Sequence, residues 1–499
     1  MRSSSNTAVA PVWVLALTGT PMTVPASFHH WAAEWHDIAE REKRVGINVG
    51  TPVLVSRKRV DGRVNAYFRD AFKSDRTSTA QTYAIELKTW FAYLDVHDVR
   101  WDEARSEDVR AFQLWRVYDE RNPARVLPST WNKGWAALRH FYRWAEQKTW
   151  IDSNPVGLQD RLGEPTIPGG FREKNARGSR DRWLTTDEYS LWRDVGFRGY
   201  SAAAAPTGKI VAALPRPGFR ARNIVRNAAF ADFALCTGLR EAEVGCLVDV
   251  EVPTNTDEQV PILGKGKVIR HFQVLHRIGT EAAQAYKDGE RRDSIRRAQR
   301  RGLYDRITDP LVVHTVLGGG RLGQRFRLVN GETIDLATLP ARDRQRLFRT
   351  SDRGIEPMYF WLTESGLPLP HTTWNMVFRS ANDRVSKARM HLHVRSPWVN
   401  VTPHSLRFSF ALMVLIANVR SIDEALGLQP TDVFDFRNYR QAFEDVRDLL
   451  GHSSTETTKE RYLEPVKSLR HSAVFRGRSI EEVWAGIRSI SPLVGFGDE

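Results

Sequence analysis

The sequence predicts a mainly α-helical protein with a small antiparallel sheet, divided into a helical N-terminal domain and a larger C-terminal domain. Apolar residues recur at three- and four-residue steps through much of the chain, which is typical of amphipathic helices. A chain of 499 residues is also too long for a single hydrophobic core. A stretch rich in Pro, Gly and basic residues at 161–183 is predicted to be the linker between the two domains.

The first 60 residues have an irregular composition and are predicted to be an N-terminal extension, or arm. Residues 61–160 are predicted to form the helical domain. Its three helices are expected within 78–96, 106–118 and 127–150, where aromatic and aliphatic residues share one face. Most of these aromatic side chains are expected simply to form the core of the domain.

Order is expected to resume at residue 184, with Thr185 and Glu188 placed as a capping box. The C-terminal domain is predicted over 184–475, with a pair of strands within 259–275 and insertions near 290–350 and 425–445. The second insertion is expected to be a surface segment or an extra helix pair. Residues 476–499 are predicted to form a C-terminal helix and tail, which packs either on its own domain or on a neighbouring copy.

The formal net charge is +14 and the isoelectric point is about 9.9. Such a basic surplus favours a polyanionic partner, nucleic acid first and a membrane surface second. Two cysteines, Cys236 and Cys246, match neither a disulfide framework nor a zinc pattern, and favour a reducing compartment. No apolar run approaches the ~20 residues of a spanning helix, and the start of the chain makes a poor signal peptide.

Two further patterns have an ordinary interpretation beside a functional one. Arginines recur at near-helical spacing through 291–301, as either a solvated face or a stripe that follows phosphates. Gly318, Gly320 and Gly323 have the G-x-G-x-x-G order of a dinucleotide site. The residues behind them look extended instead of helical, so a loop or hairpin is predicted there.

Several short motifs carry residues suited to phosphate chemistry, and each taken alone has an ordinary structural explanation. Arg240 and Glu243 lie one helical turn apart, as in a surface ion pair. His404 and Arg407 share one face of an apolar helix, where a buried guanidinium needs a partner. Two lysines flank Gly266 at a predicted turn. Near the C-terminus, "GHSSTETTKERY" places a His and a Tyr in a Ser/Thr-rich segment.

Together and in this order, the motifs resemble those of the tyrosine recombinase (phage integrase) family. The matching stretches are T-G-L-R-x-x-E at 237–243, G-K-G at 264–266, H-x-L-R at 404–407, L-G-H-S-S at 450–454, and Tyr462. The helical region at 61–160 looks like the core-binding DNA-binding domain of that family. The resemblance covers about 65–470, so it implies a tyrosine-recombinase-like catalytic domain over 184–475.

The resemblance implies a role for each matching residue. Arg240 and Arg407 would clamp the scissile phosphate, with Glu243 orienting the arginines. Lys265 would be the general acid, with Lys267 as the alternative. His404 would be the general acid or base, His452 a second phosphate contact, and Tyr462 the nucleophile. The chemistry fits, because guanidinium forks bind phosphate oxygens in pairs and a phosphotyrosyl ester conserves bond energy for rejoining.

Two departures from the family pattern stand out. Phe408 replaces the last His of the box H-x-L-R-H, with little expected consequence. Tyr462 lies one residue further from the box His than is common. A one-residue shift turns a side chain by about 100° on a regular helix. The backbone between Thr458 and Tyr462 is therefore expected to be irregular, and a regular helix is expected to point Tyr462 elsewhere.

The function implied is site-specific DNA recombination or integration by a homo-tetramer, with no cofactor or metal. Its partners would be double-stranded DNA carrying attachment or recombination sites and an accessory DNA-bending factor. The protein would be located in the cytoplasm, in association with the nucleoid. The alternatives are a type IB topoisomerase-like DNA relaxase, which the core-binding-like domain disfavours, and a catalytically inactive DNA-binding regulator, which the full set of motif residues disfavours. A basic membrane-surface protein is a further alternative, for which no amphipathic anchor is apparent.

Overall fold

The computed structural model of the chain describes residues 13–18, 47, 50–56, 59–72, 77–156, 183–206, 209–264, 269–320, 323–394, 400–428 and 432–471. The chain divides into two compact units, residues 1–180 and 181–499. The dividing point falls within the predicted linker, most of which lies outside the described residues. The class is mainly α with small sheets, as predicted.

Among its described residues, the first unit combines four α-helices with one antiparallel sheet. Its elements are strands β1 (Trp13–Leu17), β2 (Pro52–Ser56) and β3 (Arg59–Val60), and helices α1 (Gly62–Asp70), α2 (Thr77–Val96), α3 (Ser106–Gln113) and α4 (Pro128–Gln147). Helices α2, α3 and α4 fall where the hydrophobic periodicity predicts them. Their aromatic side chains, including the fully buried Trp90 and Trp131, form the core.

Part of the predicted N-terminal extension belongs to this first unit. Strand β1 pairs antiparallel with β2, and Leu54 of β2 is fully buried among the helices. The Trp13 indole donates a hydrogen bond to Asp95 of α2 at 2.9 Å. The sequence predicted a separate extension because β1 and β2 are far apart along the chain, and such a distant pairing leaves no local pattern in the sequence.

The second unit contains ten of the described helices and nine of the described strands. The helices are α5 (Thr186–Arg193), α6 (Ile224–Thr237), α7 (Glu241–Gly245), α8 (Arg277–Tyr286), α9 (Arg292–Arg300), α10 (Ala341–Arg344), α11 (Trp374–His391), α12 (Pro403–Leu426), α13 (Phe436–Leu450) and α14 (Thr455–His471). The strands are β4 (Tyr200–Ala204), β5 (Ile210–Pro215), β6 (Val260–Leu263), β7 (Ile269–Phe272), β8 (Leu311–Gly320), β9 (Gly323–Leu328), β10 (Thr333–Asp335), β11 (Leu347–Ser351) and β12 (Gly354–Pro357).

The local sequence signals of this unit are reproduced. Thr185 and Glu188 cap α5 reciprocally, as a capping box. The predicted strand pair is the antiparallel pair β6–β7. The glycine run lies in the β8–β9 hairpin, and a strand instead of a helix follows it. That hairpin belongs to a five-stranded sheet of order β10-β9-β8-β11-β12, in which only β8 and β11 run parallel.

The main core is built around α6 and α12, and α13 and α14 pack on α12. The segment predicted as a surface insertion near 425–445 is mostly α13, whose Tyr439, Ala442 and Phe443 are buried in this core. The surface alternative was wrong for this helix, because α13 has an amphipathic pattern whose apolar face closes the core beside α12. The helical alternative agrees with α13 itself. The insertion near 290–350 forms a lobe with its own small hydrophobic clusters.

Helix α12 is long and apolar enough to cross a membrane by length and composition alone. No such stretch was predicted from the sequence. Most of this helix is buried inside the second unit, and the core helix of a globular domain has the same composition. Its hydrophobicity is therefore explained by its place at the centre of the core.

Candidate active site

The first part of the site is the turn between α6 and α7. Gly238 ends α6 in the left-handed conformation, at a φ of 61°, and a Cβ there would lie 2.2 Å from the Phe410 ring. Only glycine fits this turn. The turn brings Arg240 to the start of α7, where its Nη1 donates to Glu243 Oε1 at 2.8 Å. The predicted ion pair is therefore present.

The second part is the first turn of α12, which begins at Pro403 behind the capping residue Thr402. His404 is exposed, whereas Arg407 is only 3% exposed. The two groups of the Arg407 fork donate to the carbonyls of Gly238 at 2.6 Å and Leu450 at 2.5 Å. Arg407 forms no ion pair with a carboxylate among the described residues. Burial, reinforced by repulsion from Arg240, lowers the pKa of Arg407 to about 9.

The third part is the C-terminal end of α13, which binds three arginines through its last carbonyls. Leu449 accepts from Arg270 at 2.9 Å, Leu450 from Arg407, and Gly451 from Arg240 at 3.2 Å. The last carbonyls of a helix lack partners within the helix, and they carry the negative end of its dipole. The end of α13 therefore stabilises guanidinium groups without neutralising their full charge.

Arg270 of β7 was not among the predicted site residues. Its Nη2 donates to Glu243 Oε2 at 2.7 Å, and its side chain is 9% exposed. Gly451 allows this approach, since a Cβ there would lie 2.6 Å from Arg270 Cδ. Strand alternation places Arg270 on the same face as the buried Phe272, and this is the signal that could have identified it.

Glu243 is the one carboxylate among the described residues that contacts these arginines. Burial by itself raises the pKa of Glu243, but the charges of Arg270 and Arg240 outweigh burial and leave the pKa below its usual value. Glu243 is therefore ionised at neutral pH. One carboxylate facing three guanidiniums leaves a surplus of positive charge, which is the electrostatic signature of an anion site.

His452 follows α13 directly and is fixed by a threonine of α14. Its Nδ1 lies 2.9 Å from the Oγ1 of Thr458, which is fully buried. Burial, followed by repulsion from Arg407, Arg461 and Arg240, lowers the pKa of His452 to about 4. The ring is therefore neutral at physiological pH. His404 adds to this repulsion, which places it near the same cluster.

Tyr462 lies one helical turn after Thr458 on the same face of α14. Its ring stacks on Phe408 at a centroid distance of 4.7 Å and lies 6.4 Å from the His452 ring. Tyr462 is 2% exposed. The expected irregularity between Thr458 and Tyr462 is absent: the segment is regular helix, yet the ring still meets the cluster. The expectation that a regular helix would point Tyr462 elsewhere was wrong, because α14 packs on α12 and brings the ring onto Phe408.

The structure thus gathers Arg240, Glu243, His404, Arg407, His452 and Tyr462 around one surplus of positive charge. Lys265 and Lys267 belong to the β6–β7 connection and lie outside the described residues. The predicted tail helix at 476–499 also lies outside the described residues. Within the described part of the chain, no three His, Cys, Asp or Glu side chains are grouped to hold a metal ion. The arrangement suits the binding of a tetrahedral oxyanion beside a tyrosine hydroxyl.

Comparison with known proteins identifies part of the first unit. Residues 64–149 match the family model described as "Phage integrase, N-terminal SAM-like domain". These residues form a phage integrase SAM-like domain. The domain extends from α1 to the end of α4, and the match confirms the resemblance to the tyrosine recombinase (phage integrase) family from a region that carries none of the catalytic motifs.

Solved structures of recombinases are similar at low identity. The Tn1549 transposon integrase with circular intermediate DNA is 13% identical, over 80% of this chain and 93% of that one, at a TM-score of 0.40. The XerH recombinase bound to palindromic difH substrate is 13% identical, over 83% of this chain and 82% of that one, at a TM-score of 0.43. A lambda integrase dimer bound to a COC′ core site is 13% identical, over 83% of this chain and 94% of that one, at a TM-score of 0.40. TM-scores below 0.5 decide neither fold nor function. No curated protein matches the chain.

Proposed function

We propose that the protein is a site-specific DNA recombinase, or integrase, that cuts and rejoins DNA through a 3′-phosphotyrosyl intermediate without a metal. The observation that carries the proposal is the convergence of four distant segments on one cationic site with a tyrosine. The SAM-like domain supports it independently, because it belongs to phage integrases.

The scissile phosphate would bind between Arg240 and Arg407. Both guanidiniums are held from behind by carbonyls, at Gly451 for Arg240 and at Gly238 and Leu450 for Arg407. Preorganised donors of this kind stabilise the charge that develops on the phosphoryl oxygens in the transition state. Arg270, which is bound to Glu243, adds a further positive charge to the site. The lowered pKa of Arg407 supports this role, because the negative charge of a bound phosphodiester would compensate for the missing carboxylate.

Tyr462 would attack the phosphorus atom, forming the bond from its Oη to phosphorus while the bond from phosphorus to the 5′-oxygen breaks. The phenolic proton would pass to His404 or to solvent, and Lys265 or Lys267 would protonate the departing 5′-oxygen. Neutral His452 would donate a hydrogen bond to a phosphate oxygen from Nε2, since Nδ1 contacts Thr458. The reverse attack by a 5′-hydroxyl would rejoin the strand.

Recombination requires two DNA duplexes, so the protein would act as a homo-tetramer on a pair of attachment sites. An accessory DNA-bending factor would assist at sites where the DNA must bend. The SAM-like domain and the catalytic unit would both contact DNA, mainly through phosphates. The protein would act in the cytoplasm, on the nucleoid or on a mobile element.

The proposal is tested by incubating the protein with duplexes that carry a candidate attachment site and quenching with detergent. A covalent protein–DNA adduct is expected for the wild type and not for Tyr462→Phe, which removes only one hydroxyl. An adduct of equal yield in the variant would overturn the assignment of Tyr462. Exchange between two differently labelled sites distinguishes a recombinase from a relaxase, which relaxes supercoils without exchanging strands.

A further inference from the structure

The insertion near 290–350 and the β11–β12 turn that follows it carry four arginines that belong to no site described above. Arg292, Arg296 and Arg300 are exposed on α9 at four-residue spacing, and Arg353 is exposed in the turn between β11 and β12. These four residues are called the arginine groove. We propose that the arginine groove binds the phosphate backbone of double-stranded DNA at a second place on the catalytic unit, which rests on the proposed function for the presence of DNA.

The groove is a cavity with two walls. Helix α9 forms one wall and the β11–β12 turn forms the other, and the space between them is about 640 Å³. Arg296, Arg300 and Arg353 line this cavity, and Arg292, one turn earlier on α9, lines the adjoining cavity. Successive arginines on α9 rise by about 6 Å, so the three guanidiniums of the helix form a row along it. A cavity of this size holds phosphate groups and does not enclose a duplex, whose backbone would cross its mouth.

The guanidiniums of the groove are available to a ligand. No side chain of Arg292, Arg296, Arg300 or Arg353 forms an ion pair or a hydrogen bond with another described residue. Asp288, Asp293 and Asp352 also line the groove and the cavity that adjoins it. By contrast, Arg349 beside them is bound to Asp249 and Glu356 at 2.8 Å and 2.6 Å. Unpaired arginines in a row form the electrostatic footprint of a phosphate-binding surface.

The walls are fixed relative to each other. The buried Arg291 donates to the carbonyls of Pro357, Tyr359 and Phe360, and Gln299 donates to Ser351 and Ile355 at 3.3 Å. These bonds tie the base of α9 to the β11–β12 hairpin and the segment behind it. The row of arginines is therefore preorganised, which lowers the entropic cost of binding a regular backbone.

The surroundings favour DNA over other polyanions. The apolar face of α9, with Ile295 and Ala298, is buried in the lobe, so it cannot enter a bilayer as a membrane-surface helix must. The cavity lining consists of Asp293, Arg296, Arg297, Gln299, Arg300 and Arg353, without the aromatic or aliphatic anchors that dominate protein–protein interfaces. Duplex DNA needs neither feature, because its backbone is recognised by charge and hydrogen bonds.

The test compares Arg296→Ala/Arg300→Ala with Arg437→Ala/Arg440→Ala in the full chain. The control removes the same charge from exposed arginines of α13 that are already paired with Asp435 and Glu444. Binding to a long duplex without an attachment site is measured across a salt series. The slope of log affinity against log salt should become shallower by about two for the groove variant, roughly one per lost phosphate contact. The control should match the wild type, and Arg296→Lys/Arg300→Lys should keep most of the affinity.

Equal slopes and affinities for the groove variant and its control would overturn the inference. So would a groove variant that binds phosphatidylserine vesicles more weakly than the wild type while it binds DNA normally. Non-covalent binding does not need Tyr462, so the slopes are measured equally well with Tyr462→Phe. A failure of the adduct assay and a failure of the groove inference are therefore separate results.

Discussion

The ring of Tyr462 stacks on the ring of Phe408, with centroids 4.7 Å apart and planes inclined by 28°. Both side chains are 2% exposed. Phe408 stands where the family resemblance leads one to expect a histidine, and the substitution was expected to matter little. In the structure this replacement has a clear effect, because the Phe408 ring of α12 holds Tyr462 of α14, the proposed nucleophile, beside His452 and Arg407.

Phe408→Leu keeps an apolar side chain but removes the aromatic stack, which contributes about 0.5–1.5 kcal/mol to the free energy of unfolding beyond simple burial. Tyr462 should then become accessible to nitration by tetranitromethane, and adduct formation should slow by up to about 100-fold through misplacement. Phe378→Leu, which alters the same core away from Tyr462, is the control. Equal adduct rates for the two variants would contradict this role of Phe408.

Thr458→Val removes the hydroxyl that contacts His452 while it preserves the shape of the side chain. Because Thr458 is fully buried, losing the hydrogen bond should lower the free energy of unfolding by about 1–3 kcal/mol. The orientation of His452 should be lost with it, so single-turnover cleavage should slow as well. Thr458→Ser retains the hydroxyl and should cleave nearly as the wild type does. Loss of cleavage in both variants would instead point to packing.

Glu243→Gln removes the charge that is shared by Arg240 and Arg270. Breaking a buried ion pair in this way typically costs about 3–5 kcal/mol in the free energy of unfolding. Glu251→Gln breaks the comparable buried pair with Arg344, far in sequence from the site. Inorganic phosphate should stabilise Glu243→Gln more than Glu251→Gln in thermal unfolding, because the anion binds the uncompensated guanidiniums. The same phosphate response in both variants would argue against an anion site.

His452 makes stability depend on pH, with a sign that follows from its lowered pKa. Between pH 6.5 and about 4 the unfolded chain binds a proton at this residue and the folded protein does not. Its contribution to stability is therefore complete above pH 6.5 and is lost as the pH falls toward 4. Compared with His452→Gln, the wild type should lose additional stability across this window in denaturant titrations. Parallel pH profiles would contradict the lowered pKa.

The features that were predictable from sequence are those with local signals. The Arg240–Glu243 pair and the Thr185–Glu188 capping box each join residues three positions apart. The β6–β7 pair and the β8–β9 hairpin are adjacent strands with turn residues between them. In each case the pattern that identifies the element lies inside the element itself.

The features that were missed depend on contacts between distant residues. The carbonyl of Gly451 meets Arg240 across 211 positions, and that of Leu450 meets Arg407 across 43. No periodicity encodes that the end of α13 binds guanidiniums, or that Phe408 faces Tyr462. The irregular backbone was expected because the extra residue was placed between Thr458 and Tyr462. No local pattern shows that α14 is regular there and still brings Tyr462 to Phe408.

The proposed function is tested most directly by locating the covalent bond between protein and DNA. The adduct formed with an attachment-site duplex is digested with nuclease and trypsin, and the nucleotide-bearing peptide is sequenced by mass spectrometry. The proposed function requires a phosphodiester on Tyr462, with the DNA attached through its 3′ end. A bond to any other residue, or attachment through a 5′ end, would contradict it.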